Sequence, residues 1–156
     1  MVVAAGPSFR RALVADIPAI QRIRVAVREN VLSNPARVTD LLVEEYLDQL
    51  GRGFVAEIDG VVIGFSFAAR ADGSIWALFV HPEFEGRGAG KGLLRLAVDW
   101  LFEQGFDQVK LGTETDTRAD TFYQRQGWSR GAMKDRTEVW FRLARAPAHT
   151  TEEKIR

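Results

Sequence analysis

The sequence predicts an α/β fold in which helices flank a mixed, mostly antiparallel central sheet, in the order β-α-α-β-β-β-α-β-α-β-β. Two Asp-Gly pairs, at 59–60 and 72–73, separate three apolar runs, and such pairs are typical of tight turns between antiparallel strands. A strand at 74–80 that is apolar on both faces then leads, through a glycine-rich turn, into a long amphipathic helix. A hairpin over residues 128–143 is predicted to close the sheet.

The first half of the chain supplies an edge strand and two helices. Residues 9–12 form the predicted edge strand. Asp16 is the predicted N-cap of the first helix, whereas Thr39 or Asp40 caps the second, which is expected to end at Gly51. The apolar stripe of the first helix comprises Ile17, Ile20, Ile23 and Val27. That of the second comprises Val43, Tyr46, Leu47 and Leu50.

The second half alternates strands and helices. The predicted elements are strands at 54–58, 61–69 and 74–80, a helix at 88–104, a strand at 109–113, a helix at 119–126, and hairpin strands at 128–133 and 137–143. Internal repeats and a second domain are not indicated. We therefore expect a single domain over residues 9–143, with flexible tails at 1–8 and 144–156.

Composition excludes several classes of function. The chain has 156 residues, enough to bury a core without disulfides or metal, and its 21 Lys and Arg balance 21 Asp and Glu. No overall field therefore attracts nucleic acid or an acidic membrane. The absence of cysteine excludes a cysteine nucleophile and a thiolate metal site, and it fits a reducing cytoplasm. Since no run approaches membrane-spanning length, we expect a soluble, cytoplasmic protein without nucleic-acid, membrane or metal partners.

The glycine-rich turn at 86–92 is the main functional feature of the sequence. Such a turn brings bare backbone N–H groups and the positive end of a helix to one point, where an anion binds. A Walker A loop would need glycine at Glu85 and Ser or Thr at Gly92. The dinucleotide fingerprint fails because Lys91 or Leu93 stands where its last glycine belongs. The anion site is therefore predicted to be of neither kind.

Two blocks resemble motifs of the GNAT (GCN5-related) N-acetyltransferase superfamily. Residues 85–90, Glu-Gly-Arg-Gly-Ala-Gly, resemble motif A, in which Gln or Arg is followed by two residues, Gly, one residue, and Gly or Ala. Residues 119–128, Ala-Asp-Thr-Phe-Tyr-Gln-Arg-Gln-Gly-Trp, resemble motif B, a short helix that carries Phe-Tyr and ends in Gly and an aromatic. Either block alone is weak. Together, in the family's order, they extend the resemblance over residues 9–143.

The resemblance implies acetyl-CoA as the acyl donor, with its pyrophosphate held by the amides of the glycine turn. Carried over residue by residue, this role falls on Gly86, Arg87, Gly88, Ala89, Gly90 and Lys91. In the family, the strand before motif A splays from its neighbour and pairs with the pantetheine amides, which implicates Leu78, Phe79 and Val80. Asp116 stands where many members have Asn; it either contacts the cofactor or caps the short helix. A glycine-rich connection without a ligand is the alternative.

Glu85 departs from motif A, because the family places Gln or Arg there. A carboxylate beside the phosphates would repel them unless it turned outward, and Arg87 and Lys91 can offset one negative charge. We expect the donor to bind despite this change. Glu85 is then a solvated loop residue whose backbone still contributes to the phosphate-binding turn.

The resemblance implies that Tyr123 donates a proton to the leaving thiolate, and a phenol with a pKa of about 10 suits that task. The alternative is that Phe122 and Tyr123 are both core aromatics. Adjacent residues of a helix cannot both face the same core, which favours the catalytic interpretation.

The general base is not specified. Many members carry Glu on one of the splayed strands, but Leu111 stands where one subgroup has its Glu. Glu114, at the strand end, and Glu29, after the first helix, are the nearest catalytic candidates; for each, a solvated surface carboxylate is the favoured interpretation. A water chain is a further alternative. His81 precedes Pro82, is therefore held extended, and is expected to be structural.

The predicted function is direct, acetyl-CoA-dependent transfer of an acetyl group to a primary amine of a small-molecule or peptide acceptor. The absence of cysteine agrees with a reaction without an acyl-enzyme. One alternative is a non-catalytic acyl-CoA-binding or regulatory module, and another is an interaction scaffold without a CoA site. The acceptor is not specified, because variable loops form its pocket. Family members often form dimers, so a homodimer is an expected assembly, although the sequence assigns no interface.

Overall fold

The structure is a computed structural model that describes residues 6–27 and 39–146. The strands are β1 (Ser8–Arg11), β2 (Gly51–Ile58), β3 (Val61–Ala69), β4 (Ser74–Val80), β5 (Gln108–Glu114), β6 (Ser129–Met133) and β7 (Glu138–Ala144). The helices are α1 (Ile17–Ala26), α2 (Asp40–Leu47), α3 (Ala89–Glu103) and α4 (Arg118–Arg125). Short 3-10 turns precede α1 and α3, at Val14–Asp16 and Pro82–Phe84. The predicted α/β class and element order are confirmed.

All seven strands belong to one sheet, in the order β1-β2-β3-β4-β5-β7-β6. Every neighbouring pair is antiparallel except β4 and β5, which run parallel. The closing hairpin enters the sheet through its second strand, because β7 and not β6 lies beside β5. The sheet is thus mixed and mostly antiparallel, as predicted.

Apolar side chains are buried on both faces of the sheet. One core lies under α1 and α2 and includes Ile20 and Phe65, whereas the other lies under α3 and α4 and includes Leu93. None of these three side chains has exposed surface, and burial of each contributes roughly 1.5–3 kcal/mol. The buried Ser66 hydroxyl donates to the Leu93 carbonyl at 3.1 Å, which fixes α3 against β3. Helix α3, and the glycine turn at its start, therefore have a defined position over the sheet.

Of the two predicted Asp-Gly hairpin turns, only the first is of the expected type. Asp59 and Gly60 both have positive φ, 52° and 78°, and Ile58 pairs with Val61 across them, as a type I′ turn requires. At the second site only Gly73 has positive φ, 69°, and its N–H donates to the Ala69 carbonyl in a wider turn. The prediction of a two-residue turn there was wrong.

Three further predictions about the first half were wrong in detail. Asp16 occupies the predicted N-cap position of α1, but its side chain does not cap the helix, because the carboxylate accepts the Leu13 N–H and the Arg10 guanidinium instead. Helix α2 ends at Leu47 rather than at Gly51, which begins β2. Leu50 is consequently exposed and is not part of the apolar stripe. Thr39, one of the two predicted caps, accepts the Leu42 N–H at 3.1 Å.

Within residues 6–27 and 39–146, no helix is long and apolar enough to cross a membrane. The same residues contain no group of three or more His, Cys, Asp or Glu placed to hold a metal ion.

Candidate active site

Strands β4 and β5 share one pair of residues and then diverge. They are joined at Ser74 and Lys110, where the Lys110 N–H donates to the Gly73 carbonyl at 3.2 Å. Along its other edge β4 stays paired with β3 as far as Val80. Beyond Ser74, the β4 edge that faces β5 therefore has no strand partner in the described chain. Such an edge can pair with an extended ligand.

A β-bulge at Trp76 re-aims the side chains of β4 at this gap. Phe67 of β3 pairs with Ala77 and the next residue pairs with Ile75, so Trp76 has no opposite partner. Trp76 and Ala77 consequently both pack on the α1–α2 face, whereas Ile75 and Leu78 pack on the α3–α4 face. Bulges often turn a side chain toward a functional site. Trp76, the bulged residue, is one of those that line the β4–β5 gap.

The glycine turn presents the unpaired N–H groups of α3. Gly86 and Gly88 have φ of 79° and 87°, a left-handed conformation that glycine adopts without steric cost. Gly88 is the N-cap of α3 and has no side chain to cap the helix. Intrahelical bonding starts with the Gly92 N–H, which donates to the Gly88 carbonyl at 3.2 Å. The amides of the first turn, 89–91, precede that bond and are available to an anion.

These amides face a cavity of about 430 Å³, which we call the glycine-loop cavity. It is lined by the end of α1, β4, the segment from the 3-10 turn to the start of α3, and α4: Val27, Leu78, Phe79, Val80, Phe84, Glu85, Gly86, Gly88, Ala89, Gly90, Lys91, Arg118, Ala119, Phe122, Tyr123 and Gln126. Eight of the ten residues predicted to bind the cofactor are in this set. The other two, Arg87 and Asp116, do not line the cavity. The guanidinium of Arg87 instead lies 5.3 Å from the Phe84 ring centroid.

The negative charge of Glu85 is neutralised by a residue of α4 and not, as expected, by a neighbour in the glycine turn. Its carboxylate lies 2.5 Å from the guanidinium of Arg118, the first residue of α4, rather than against Arg87 or Lys91. Arg118 and Lys91 both line the glycine-loop cavity with Glu85. The three side chains together leave one net positive charge at the cavity, which suits a phosphate-bearing ligand.

Tyr123 lies between the glycine-loop cavity and a second, central cavity of about 130 Å³ inside the β4–β5 gap. Its side chain is buried, and its ring centroid lies 5.8 Å from that of Trp128 and 5.7 Å from that of Phe141. Phe122, beside it, lines the glycine-loop cavity and packs at the edge of the same core. Tyr123 is therefore a core aromatic and a cavity residue at once.

The start of α4 is fixed by two residues that the sequence reasoning did not single out. Thr117, not Asp116, is the N-cap, and its hydroxyl accepts the Asp120 N–H at 3.2 Å. The buried Asp120 carboxylate accepts the Asp116 N–H at 2.8 Å, Gln124 Nε2 at 2.7 Å and Arg130 at 3.2 Å. Burial alone would raise the pKa of Asp120, but these hydrogen bonds outweigh it and hold the pKa below its ordinary value. Thr117 followed three residues later by Asp120, at the start of a helical pattern, was the available signal.

Two of the three predicted acid–base residues line one cavity. Glu114 ends β5 and lines the central cavity with Tyr123. Glu138, which the sequence reasoning missed, lies directly opposite Glu114 on β7 and lines that cavity too. Glu29 lies outside the described residues. His81 accepts the Glu83 N–H through Nδ1 at 3.1 Å and so stabilises the turn after β4.

A third, outer cavity of about 420 Å³ opens on the α1–α2 side of the gap. Its lining residues are Tyr46, Ala69, Ala71, Asp72, Ser74, Ile75, Trp76, Leu111, Gly112, Lys134, Glu138 and Trp140. It shares Trp76, Gly112 and Glu138 with the central cavity, which in turn shares Tyr123 with the glycine-loop cavity. The three cavities thus lie next to one another along the β4–β5 gap and share wall residues, from the glycine turn to the α1–α2 side.

Comparison with known proteins gives a family for this arrangement. The family model of the acetyltransferase (GNAT) family matches residues 20–128, well over half of the chain. The mycothiol acetyltransferase of Propionibacterium freudenreichii subsp. shermanii is 28% identical over 95 residues, which are 56% of this chain and 30% of that protein. An uncharacterized N-acetyltransferase of Archaeoglobus fulgidus is 37% identical over 82 residues, 46% of this chain and 56% of that protein. The chain therefore spans only part of the length of these relatives.

Solved structures share the fold over nearly the whole chain. Salmonella typhimurium yncA, solved with its cofactor acetyl-CoA, has a TM-score of 0.74 and 22% identity, covering 92% of this chain and 97% of that one. The PaiA N-acetyltransferase of Thermoplasma acidophilum, solved with coenzyme A, has a TM-score of 0.70 and 18% identity, covering 90% and 100%. At these identities the likeness establishes the fold. The family match, the shared fold and the glycine turn agree, and the chain belongs to the acetyltransferase (GNAT) family.

Proposed function

We propose that the protein is an acetyl-CoA-dependent N-acetyltransferase that transfers the acetyl group directly to a primary amine. One observation carries the proposal: Ala89, Gly90 and Lys91, the first residues of the uncapped helix α3, line the same cavity as Tyr123. A ligand with a diphosphate at one end and a thioester at the other would therefore meet an anion site and a phenol.

The residues present fit acetyl-CoA as the donor. The turn at 86–90 offers amides to the pyrophosphate, and a Cβ added at Gly86 or Gly88 would meet nothing within 4 Å, so this side of the turn is open. Leu78, Phe79 and Val80 line the cavity from β4, whose free edge can pair with the pantetheine amides. Arg87 is proposed to contribute its backbone amide, and Asp116 to approach the cofactor from the loop before α4.

The reaction requires three proton transfers between the reactants and the protein, besides the release of one proton to solvent. The acceptor ammonium first loses a proton, for which we propose Glu114 as the receiving group in the central cavity, before release to solvent. The neutral nitrogen attacks the thioester carbonyl carbon, the C–N bond forms and the C–S bond breaks. Tyr123 donates its phenolic proton to the departing sulfur, and the proton that leaves the new amide nitrogen restores the phenol. The products are the acetylated amine, coenzyme A and one proton.

A combined binding and turnover experiment tests this function. Calorimetry with coenzyme A should show saturable binding, and a thiol reagent should detect coenzyme A release from acetyl-CoA in the presence of at least one amine. Mass spectrometry must then find the acetylated amine, because thioester hydrolysis would also release thiol. Binding without release across peptide, lysine-like, polyamine and aromatic amines would contradict the proposal and indicate a non-catalytic module.

Two further expectations stay predictions. A cytoplasmic location is supported by the absence of cysteine. A homodimer is expected from the family resemblance, and its test is the molar mass of the full chain in solution.

A further inference from the structure

We propose that Gly112, Glu138 and Trp140 form a cradle for the terminal ammonium of an unbranched aliphatic chain, such as that of a lysine residue. This acceptor class rests on the proposed function for the transfer step, but binding in the cradle can be tested without turnover.

The cradle already holds an ammonium group in the structure. Lys134, in the turn between β6 and β7, places its Nζ 3.2 Å from Glu138 Oε1 and 5.0 Å from the centroid of the Trp140 ring. Lys110 Nζ of β5 also lies 5.0 Å from that centroid, so the ring already attracts two ammonium groups. A carboxylate and an aromatic face both attract alkylammonium ions in proteins. The chain thus presents to its own site the chemical group that we infer for the substrate.

Gly112 provides the space for the aliphatic stem. It lies on β5 opposite Trp140 of β7. A Cβ at position 112 would come within 2.8 Å of Lys134 Cδ and 3.2 Å of Glu138 Oε1. Any side chain at this position would therefore crowd the methylene chain and the carboxylate. The missing side chain leaves a slot that fits a linear chain.

The cradle lies where the outer cavity meets the central cavity. Gly112 and Glu138 line both, whereas Lys134 and Trp140 line the outer cavity. Glu114, the proposed proton acceptor, is the cross-strand neighbour of Glu138. An amine that leaves the cradle inward therefore arrives beside the group proposed to deprotonate it.

Lys134 can be displaced by a ligand at small cost. Its side chain is 41% exposed and that of Glu138 is 33% exposed, and ion pairs of this kind contribute little to stability. In the free protein Lys134 would compete with the substrate for Glu138.

Trp76 is expected to favour binding of a lysine residue over binding of a simple diamine. Its Nε1 is buried and has no hydrogen-bond acceptor among the described residues, and Trp76 lines the outer cavity with the cradle. A buried donor without an acceptor is costly. A peptide carbonyl beyond the methylene chain can accept this hydrogen bond, whereas an alkyl diamine offers no oxygen.

The first test measures binding to the full chain by NMR, through the indole N–H signal of Trp140, identified by its loss in Trp140→Phe. The probes are Nα-acetyl-lysine N-methylamide, its neutral norleucine analogue and 1,5-diaminopentane. We expect saturable shifts with the lysine amide, weaker binding of the diamine and none of the norleucine compound. Equal shifts with the norleucine analogue, or no binding of the lysine amide, would overturn the proposal.

The second test uses charge-matched variants. Glu138→Gln should weaken lysine-amide binding at least about tenfold, and Lys134→Met should tighten it about threefold, because the competing ammonium is gone. The Arg95–Asp99 pair on α3 has the same spacing, so Arg95→Gln and Asp99→Asn are the controls and should leave binding unchanged. Wild-type affinity in Glu138→Gln would reject the cradle. Binding as expected without any thiol release would leave the cradle intact and reject acetyl transfer.

Discussion

At the scale of single residues, Tyr123 shows why two interpretations of one side chain need not exclude each other. The sequence offered a core aromatic or a catalytic phenol. In the structure the ring packs with Trp128 and Phe141, and the same residue lines two cavities. Packing of the ring holds the phenol in one orientation, which a proton donor requires.

Substitution of Tyr123 by Phe should separate chemistry from binding. The phenyl ring keeps the packing, so the melting temperature and the dissociation constant of coenzyme A should change little. The turnover number should fall about 100-fold or more, the usual contribution of a positioned acid. Steady-state thiol release at saturating acetyl-CoA measures it, and an unchanged turnover number would remove Tyr123 from the mechanism.

The Glu85–Arg118 pair predicts opposite effects of two neutral substitutions on coenzyme A affinity. Arg118→Gln should raise the dissociation constant several-fold, because Glu85 is then unpaired beside the phosphates, and Glu85→Gln should lower it by about the same factor. The effects should shrink in 0.5 M salt, since both side chains are exposed. Arg95→Gln removes a cation from the exposed face of α3 and is the control. Equal loss of affinity in both variants would contradict this account.

Residue-level details that depend on distant contacts could not be predicted from the sequence. Arg118 reaches Glu85 across 33 positions, and Glu138 meets Glu114 only because β7 lies beside β5. The N-cap at Thr117 could have been predicted from the sequence, because the Thr-x-x-Asp spacing is local. The glycine-turn residues were predictable because a turn is defined by its own sequence.

At the scale of elements, the start of α3 combines a left-handed glycine turn with the first residues of a regular helix. Gly88 lies in the left-handed region, whereas Gly90 lies inside the helix without positive φ. A Cβ at Gly90 would lie 3.8 Å from Phe122 and Val80, which line the glycine-loop cavity. Gly88 therefore allows the left-handed turn, whereas Gly90 keeps the wall of the cavity free of a side chain.

Alanine substitutions should distinguish these purposes. Gly88→Ala should destabilise the protein by about 1–2 kcal/mol, the cost of a left-handed non-glycine residue, and weaken coenzyme A binding. Gly90→Ala should raise stability by up to about 1 kcal/mol through helix propensity, yet also weaken binding because the methyl narrows the cavity. Urea unfolding and calorimetry measure both. Tighter binding in Gly90→Ala would show that this amide does not face the donor.

Element boundaries were less predictable than element types. Leu50 continues the apolar pattern of α2 and Gly51 is its predicted stop, but Gly51 pairs with Ala69 as the first residue of β2. Tertiary pairing thus overrode the helical periodicity. The second Asp-Gly pair likewise gave way to a wider turn, in which the Asp72 carboxylate accepts the Ser74 N–H and hydroxyl.

At the scale of the whole molecule, an ion-pair network joins the N-terminal strand to the first helix. Arg10 donates to both oxygens of Asp16 at 2.8 Å and to Glu57 at 2.9 Å. The Arg10 hydrogen bonds lower the pKa of Asp16, against the raising effect of burial. The carboxylate therefore stabilises the fold fully above its unfolded pKa of about 3.9, and this contribution is lost as the pH falls through the lower folded value.

Asp16→Asn should accordingly cost stability in a pH-dependent way. At any pH between 5 and 7, the free energy of unfolding of the variant should be about 2 kcal/mol lower than that of the wild type. This difference should shrink toward pH 2. Urea unfolding at several pH values measures it. Asp107→Asn is the control, because that side chain is 97% exposed. A difference that stayed constant with pH would show that Asp16 acts by packing alone.

The fold class and element order were predictable because turns, caps and periodicity are local signals. The strand order was not, because insertion of β7 between β5 and β6 depends on contacts between distant segments. The cavities follow from that order together with the bulge at Trp76, so the acceptor side of the site was the least predictable part.

The single rung between β4 and β5 divides the sheet into two leaves, β1–β4 and β5–β7, hinged at Ser74 and Lys110. Few hydrogen bonds oppose a widening of the angle between the leaves. A pantetheine arm bound in the β4–β5 gap would hydrogen-bond to the free edge of β4 and so hold the two leaves together while the donor is present. A bound donor would then limit the width of the gap through which the acceptor enters, and release of coenzyme A would remove that limit.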